Sequence, residues 1–331
     1  MNHAAPIPAT ILTGFLGAGK TTLLNAIVRN DRGRRFGIIL NEVAQISIDD
    51  ELIESRDEEV MILKNGCICC SVRADLVQSI QALLARGGID YLLVETTGVA
   101  DPRPVAETFY SIPALSPLVR LDSIVTVLDV EQIEEQATQE RVAIDQIAMA
   151  DFVLLNKIDL ASEAQIGRVE RSVRKVNPHA RLFRSKNSEI DLQSVLDVNA
   201  FKVDEDAAGS PEFVPVEAGR DGGHASIGAL SFALDGLLDG FKFQSFAQAL
   251  SQRECVYRSK GIVAIGGSRH RAVFHGVNNR FTIYWDRPWR GGEARTSRLV
   301  FIGKALRREP IEWGLRQCLL YRDQTAMYSG S

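Results

Sequence analysis

Long apolar runs are missing from this chain of 331 residues. No stretch approaches the roughly 18 apolar residues that a membrane span needs, so no transmembrane helix is predicted. The opening segment, MNHAAPIPATILTG, has neither the basic region nor the cleavage site of a secretory leader, and none is predicted. An excess of either charge is missing too. Lys and Arg number 38 against 42 Asp and Glu, a net charge of −4 with the signs interspersed. That balance argues against a nucleic-acid partner and against a polybasic membrane surface. There are no internal repeats and no low-complexity tract, which removes repeat architectures from consideration. Cysteine is scarce, five in all, yet three of the five crowd into NGCICCSVR (65–73). The expected compartment is the reducing cytoplasm, where clustered cysteines serve as metal ligands or catalytic thiols more often than as disulfides.

The length suits two domains, each large enough for its own core. Over the first two hundred residues, apolar β-rich runs alternate with helical patterns. Strands are predicted at 7–13, 36–41, 59–65, 91–98, 123–130, 151–159 and 180–186. A helix is predicted from Lys20 to Arg29. A second contains Leu76, Ile80, Leu83 and Leu84 on one face and stops at Gly87-Gly88. The alternation predicts an α/β fold with a mostly parallel sheet and helices on both faces. An acidic, Gly- and Pro-bearing segment without periodicity follows, and it reads as a linker. The predicted organisation is a nucleotide domain over 1–202, a linker over 203–226 and a smaller α+β domain over 227–331. Strands at 227–234, 256–265, 271–277, 280–285 and 298–302, with helices near 243–252 and 308–320, predict a largely antiparallel sheet there.

GFLGAGKT (14–21) has the spacing of a phosphate-binding loop and sits between a strand and a helix, as that chemistry requires. Gly14, Gly17, Ala18 and Gly19 let the backbone wrap closely enough for amide N–H groups to meet phosphate oxygens. The helix start adds its positive dipole end. Lys20 is expected to reach the β- and γ-phosphates, Thr21 to ligate Mg²⁺ and Thr22 to meet the α-phosphate. NKID (156–159) ends an apolar strand. The Asp159 carboxylate only accepts, so it suits the N1–H and 2-amino donors of guanine and leaves the bare N1 of adenine unpaired. Asn156 can bond the base edge or tie this loop to the phosphate loop, and the Lys157 stem can lie over the ring. Glu95 and Gly98, in ETTG at the end of a strand, are candidates for a Mg²⁺-bound water and for γ-phosphate sensing through segment 95–101. Asp49 and Asp50 can complete the magnesium shell or start a helix.

Thiols at i, i+2 and i+3 do not converge from a regular strand. They can converge if the chain turns, and Gly66 permits a turn. Lys64, Arg73 and a helix start near Ser71 favour thiolate. Soft thiolates select zinc, copper(I) or cobalt over magnesium. Cys67, Cys69 and Cys70 are therefore candidate transition-metal ligands, with buried inert cysteines and a redox pair as alternatives. Cys255 and Cys318 are isolated and expected in the core. His270 and His275 are expected to be structural. WDRPW (285–289) reads as core packing with a turn, or as a docking edge.

GFLGAGKTTLLN, NGCICCSVRADL, ETTGVADPRPVAETF and NKID, in this order, resemble the CobW-like family of P-loop GTPases. YRSKGIVAIGG, VFHGV and FTIYWDRPWRGGEARTSRLVFIG resemble that family's C-terminal domain, so the likeness spans nearly the whole chain. The resemblance implies a SIMIBI-type GTPase fold, GTP binding with slow hydrolysis, and delivery of Zn²⁺ or Co²⁺ to a client metalloprotein. It also leaves room for a nucleotide- or metal-dependent homodimer. By position Cys67, Cys69 and Cys70 match the family's metal motif. LNEVAQ departs from the common E-N-E-F-G-E pattern. Leu40 and Gln45 replace two carboxylates, and Glu42 alone remains as an auxiliary ligand. His224 stands alone where many members carry a histidine-rich tract. The leading expectation is a GTP-dependent metallochaperone. A metal-responsive GTP-binding regulator and a P-loop small-molecule kinase are the alternatives.

Overall fold

A computed structural model describes residues 6–31, 33–42, 59–64, 70–115, 117–198, 227–278 and 280–320. The chain divides into two compact units, 1–200 and 201–331. The segment expected as a linker lies outside the described residues.

The first unit runs β1 (Ile7–Thr13), α1 (Lys20–Asn30), β2 (Phe36–Glu42), β3 (Glu59–Lys64), α2 (Cys70–Arg86), β4 (Tyr91–Glu95), α3 (Arg103–Ser111), β5 (Val119–Asp129), α4 (Ile133–Gln139), α5 (Arg141–Met149), β6 (Phe152–Asn156), α6 (Glu163–Val176) and β7 (Arg181–Arg184). Its strands form one seven-stranded sheet in the order β3-β2-β4-β1-β5-β6-β7, with every pairing parallel. Alternate residues of β6 feed different cores, as the period of two in a strand demands. Phe152 and Leu154 join Leu23, Leu24 and Ile27 of α1, whereas Val153 and Leu155 join Ile147 of α5 and Ile166, Val169 and Val173 of α6. Helices therefore cover both faces.

β5 begins four residues before its predicted start, in VRLD, a stretch too polar to read as a buried strand. Asp122 is fully buried there, but Tyr91 Oη donates to it over 2.6 Å and Arg120 Nη1 over 2.9 Å. Two charge-assisted bonds offset the desolvation of that carboxylate. Burial, and then the neighbouring carboxylate, push the Tyr91 phenol well above its ordinary pKa. β4 stops at Glu95 rather than continuing to 98, and α3 begins directly after Pro102, whose ring suits a helix start.

The second unit runs β8 (Ile227–Asp235), α7 (Gly240–Arg253), β9 (Cys255–Val263), β10 (His270–Val277), β11 (Arg280–Pro288), β12 (Thr296–Lys304) and α8 (Arg308–Gln317). The five strands pair antiparallel in the order β11-β10-β9-β12-β8. Phe243, Ala247 and Leu250 of α7 and Ile311 and Leu315 of α8 pack on Phe232, Phe274 and Phe301 of the sheet. Asp239 caps α7, accepting from the amides of Phe241 and Lys242. Cys318 is buried as expected, and burial pushes its thiol up to about 11. Cys255 is not in the core. It is exposed at the start of β9, where the chain leaves α7 at the margin of the sheet. Trp285 also departs from the packing expectation. It is 56% exposed on β11, an edge strand that pairs with β10 alone among the described residues. His275 is buried and stacks on Tyr284, while His270 is exposed at the first position of β10. Among the described residues no helix is long and apolar enough to cross a membrane.

Candidate functional site

The site grows from the C-terminal edge of the parallel sheet, where open α/β sheets bind ligands. β1 ends at Thr13 and the chain turns through Gly14–Gly19 into α1. Gly19 is the N-cap of α1 at φ 109°, a conformation that favours glycine. A Cβ there would also lie 2.4 Å from Asn156 Nδ2 and 2.8 Å from Ser188 Oγ. Both constraints explain a glycine immediately before Lys20.

Lys20 is buried and its Nζ donates to the Phe15 carbonyl over 3.0 Å, bridging the two ends of the loop. Burial lowers its pKa from the ordinary lysine value, and the Glu95 carboxylate partly restores it. Thr21 and Thr22 are exposed at the start of α1. The Thr21 hydroxyl donates to Glu95 Oε1 over 2.8 Å, so α1 is joined directly to the end of β4. The adjacent pairing of β1 and β4, with Leu12 level with Glu95, makes this contact possible.

Asn156 ends β6 and is buried. Its Nδ2 donates to the Ala18 carbonyl (2.9 Å) and to Ser188 Oγ (3.0 Å), and its Oδ1 accepts from the Ser188 amide (2.8 Å). Of the two roles open to it, tying loops together is the one the geometry displays. Lys157 adopts φ 59° and its Nζ lies 2.7 Å from the buried Asp129 Oδ2, which anchors the head of the side chain. Asp159 remains accessible, 3.9 Å from Lys186 Nζ.

Sequence reasoning missed the loop after β7. Ser188 Oγ donates to the Gly19 carbonyl over 3.0 Å, so this loop touches the phosphate loop from a second side. Asn187 and Ser188 take consecutive left-handed conformations, φ 52° and 58°. The signal available was the small, polar run SKNS directly after a strand, a composition that tolerates such a turn. It also missed Gln146 of α5. This fully buried side chain donates from Nε2 to the carbonyls of Gly98 (3.1 Å) and Ala100 (3.2 Å). Gly98 itself lies close to the phosphate loop. A Cβ on it would stand 2.5 Å from the Leu16 amide nitrogen.

These residues fit a magnesium nucleotide. A glycine-only cap, a helix N-terminus and a buried lysine suit phosphate oxygens. A hydroxyl and a carboxylate 2.8 Å apart form the oxygen-only donor set that magnesium prefers. Cys67 and Cys69 lie outside the described residues, as do Asp49 and Asp50. Cys70 is the first residue of α2, and Glu42 is the last of β2 with its backbone level with Lys64. Leu40 pairs with both Glu95 and Ile62, so β3 ends at the same edge as β4. Two strand spacings, roughly 10 Å, separate the two strands laterally, and β3 runs two residues past the level of Glu95 to Lys64.

The comparisons with known proteins agree over most of the chain. Residues 8–184 match the family model described as CobW/HypB/UreG, nucleotide-binding domain. Residues 227–319 match the cobalamin synthesis protein cobW C-terminal domain. The zinc chaperone YjiA of Escherichia coli is 35% identical over 314 residues, covering 92% of this chain and 96% of YjiA. The zinc chaperone CobW of Pseudomonas aeruginosa is 32% identical, covering 96% of this chain and 93% of its own length. The crystal structure of the Zn(II)-bound YjiA GTPase superposes with a TM-score of 0.70 at 30% identity, covering 96% of this chain and all of that one.

Proposed function

We propose that this chain, which belongs to the CobW/HypB/UreG family of P-loop GTPases, uses GTP hydrolysis to hand a transition metal to a client metalloprotein. Zinc is the foremost cargo and cobalt the next. One observation carries the reading: the phosphate loop, Glu95 and the end of the strand leading to the cysteines share one edge of one parallel sheet.

In this reading the amides of Gly17 to Thr22 bind the phosphates, with Gly14 supplying the turn. Lys20 exchanges the Phe15 carbonyl for β- and γ-phosphate oxygens. Release of an internal bond for a charged one favours the triphosphate state. Thr21 and Glu95 would hold Mg²⁺, which supplies charge neutralisation at the β,γ-bridge when bound. Asp159 reads the guanine edge, Lys157 covers the ring, and Asn156 holds the base loop to the phosphate loop. The Gly98 amide senses the γ-phosphate. Segment 95–101 carries no glutamine to orient the attacking water, so turnover is slow and hydrolysis acts as a timer. Cys67, Cys69 and Cys70 hold the cargo as thiolates, with Glu42 as an auxiliary oxygen ligand. GTP and metal bind together, the client docks in the cytoplasm, and hydrolysis releases the metal.

The test is metal affinity measured with GTP, with GDP and without nucleotide, on the wild type and on Cys69→Ser. Tighter binding in the GTP state, lost in the variant, is expected. Equal affinity in all three states overturns the coupling. Metal-dependent GTP turnover without transfer to any acceptor points to a regulator instead.

A further inference from the structure

We propose that Gln146 is a positioning residue that presets segment 97–101 for the γ-phosphate, through hydrogen bonds rather than through contact with nucleotide. The proposal rests on the reading of 95–101 as the γ-phosphate sensor.

Three observations support it. Gln146 is fully buried in a helix, and both of its polar contacts are donations to backbone carbonyls of one loop, Gly98 and Ala100. Its Oε1 has no hydrogen-bond partner among the described residues, so its donors alone engage the loop. Its own carbonyl accepts from Thr126 Oγ1 on β5 over 2.8 Å, which fixes the base of the side chain to the sheet beside β1. A trans peptide is planar, with C=O and the following N–H opposed. Holding the carbonyls of 98 and 100 toward α5 therefore aims the amides of Val99 and Asp101 away from it, and pinning the Gly98 carbonyl restricts the Gly98 backbone torsion that positions its own amide. The preceding residue of the helix acts on the same segment. Asp145 is buried and accepts from Arg103 Nη2 over 3.2 Å, while Arg103 also bonds Asp101. Consecutive side chains of α5 thus hold the segment at Gly98 and Ala100 directly and at Asp101 through Arg103. Gly98 is in turn pressed against Leu16 of the phosphate loop.

A loop held in advance loses little conformational freedom when the triphosphate arrives, and the gain appears in binding and turnover of GTP alone. GDP has no γ-phosphate and gains nothing from the grip.

The experiment uses the full chain and the variants Gln146→Met, Gln146→Glu and Gly98→Ala. Affinities are measured for GDP and for a non-hydrolysable GTP analogue, together with kcat and KM for GTP. Gln146→Met keeps the side chain's length and removes both donors. The expected result is GDP affinity within about two-fold of wild type and GTP-analogue affinity lower by about ten-fold. The fall in kcat/KM should lie mainly in kcat. Gln146→Glu keeps the shape, and below its raised buried pKa one donor returns, so it should regain part of the GTP-analogue affinity as pH falls. Gly98→Ala touches the sensor directly and should lower GTP-analogue affinity whatever Gln146 does. If Gly98→Ala does so while Gln146→Met binds both nucleotides like wild type, the proposal is overturned and the sensor reading stands. Wild-type ratios in both variants overturn the sensor reading and the proposal with it. An equal loss of GDP and GTP-analogue affinity in Gln146→Met assigns the residue to folding alone and overturns the proposal.

Discussion

Asn156 Nδ2 donates to the Ala18 carbonyl over 2.9 Å, across 138 residues of sequence. The end of the strand expected to carry base recognition is thereby bonded to the loop expected to carry phosphate recognition. The same side chain holds Ser188 through two further bonds, so three loops share one amide.

Asn156→Ala should weaken GTP and GDP together. The Ala18 carbonyl and the Ser188 amide would lose a buried partner, at about 1–3 kcal/mol for each unsatisfied group. A nucleotide-binding titration should show both affinities falling by at least about ten-fold with their ratio unchanged. A loss confined to GTP would contradict a shared tether.

Asp159→Asn should exchange base preference. An amide presents one donor and one acceptor, which match the C2 carbonyl and N1–H of xanthine and leave the guanine 2-amino group facing a donor. Steady-state kcat/KM for GTP should fall about a hundred-fold, with XTP becoming the better substrate. Unchanged discrimination would remove Asp159 from the base site.

Glu95→Gln should move the alkaline limit of GTP binding. Burial already lowers the Lys20 pKa, and the Glu95 carboxylate is what raises it. Removing that charge lowers it further, so the ammonium form is lost at a lower pH. GTP affinity measured against pH should therefore decline earlier on the alkaline side than in wild type. The magnesium requirement should rise as well, because the proposed Thr21–Glu95 magnesium site loses its carboxylate. A pH profile that superposes on wild type would separate Glu95 from Lys20.

Glu293→Gln should destabilise the second unit at neutral pH and flatten its stability against acid. Hydrogen bonds from Arg287 and the Arg290 amide, with the charge of Arg271, hold the Glu293 carboxyl at about 2, below its ordinary value of 4.5. A depressed folded-state pKa gives stability that is present above about 4.5 and lost as pH falls through about 2. The three tryptophans, Trp285, Trp289 and Trp313, all lie in this unit, so fluorescence reports on it. The variant should be less stable than wild type at pH 7, and the difference should shrink as pH falls from about 4.5 toward about 2, where wild type loses the same contribution by protonation; a difference that does not change with pH would contradict this.

Much of the first unit was legible because its signals are local. The span of β1 and the start of α1 follow from an apolar run and from a glycine, lysine and threonine sequence with no role in packing. β5 resisted because its first turns hide a carboxylate whose partner, Tyr91, lies 31 residues away. Cys255 resisted because cysteine composition says nothing about where a sheet ends. The grip of Gln146 on Gly98 was invisible, since a glutamine in a helix looks like any solvated polar residue until a loop is placed over it.

The chain's own order of residues determined the α/β alternation, the phosphate-loop motif, the tetrapeptide expected to read the base and the clustering of three cysteines, because each depends on neighbours within a few positions. Tertiary structure alone decided that β4 lies beside β1, that Thr21 meets Glu95 and that α5 holds the loop between them. Strand order arises from which backbones find one another across long loops, and periodicity within a strand is the same whichever neighbour it takes.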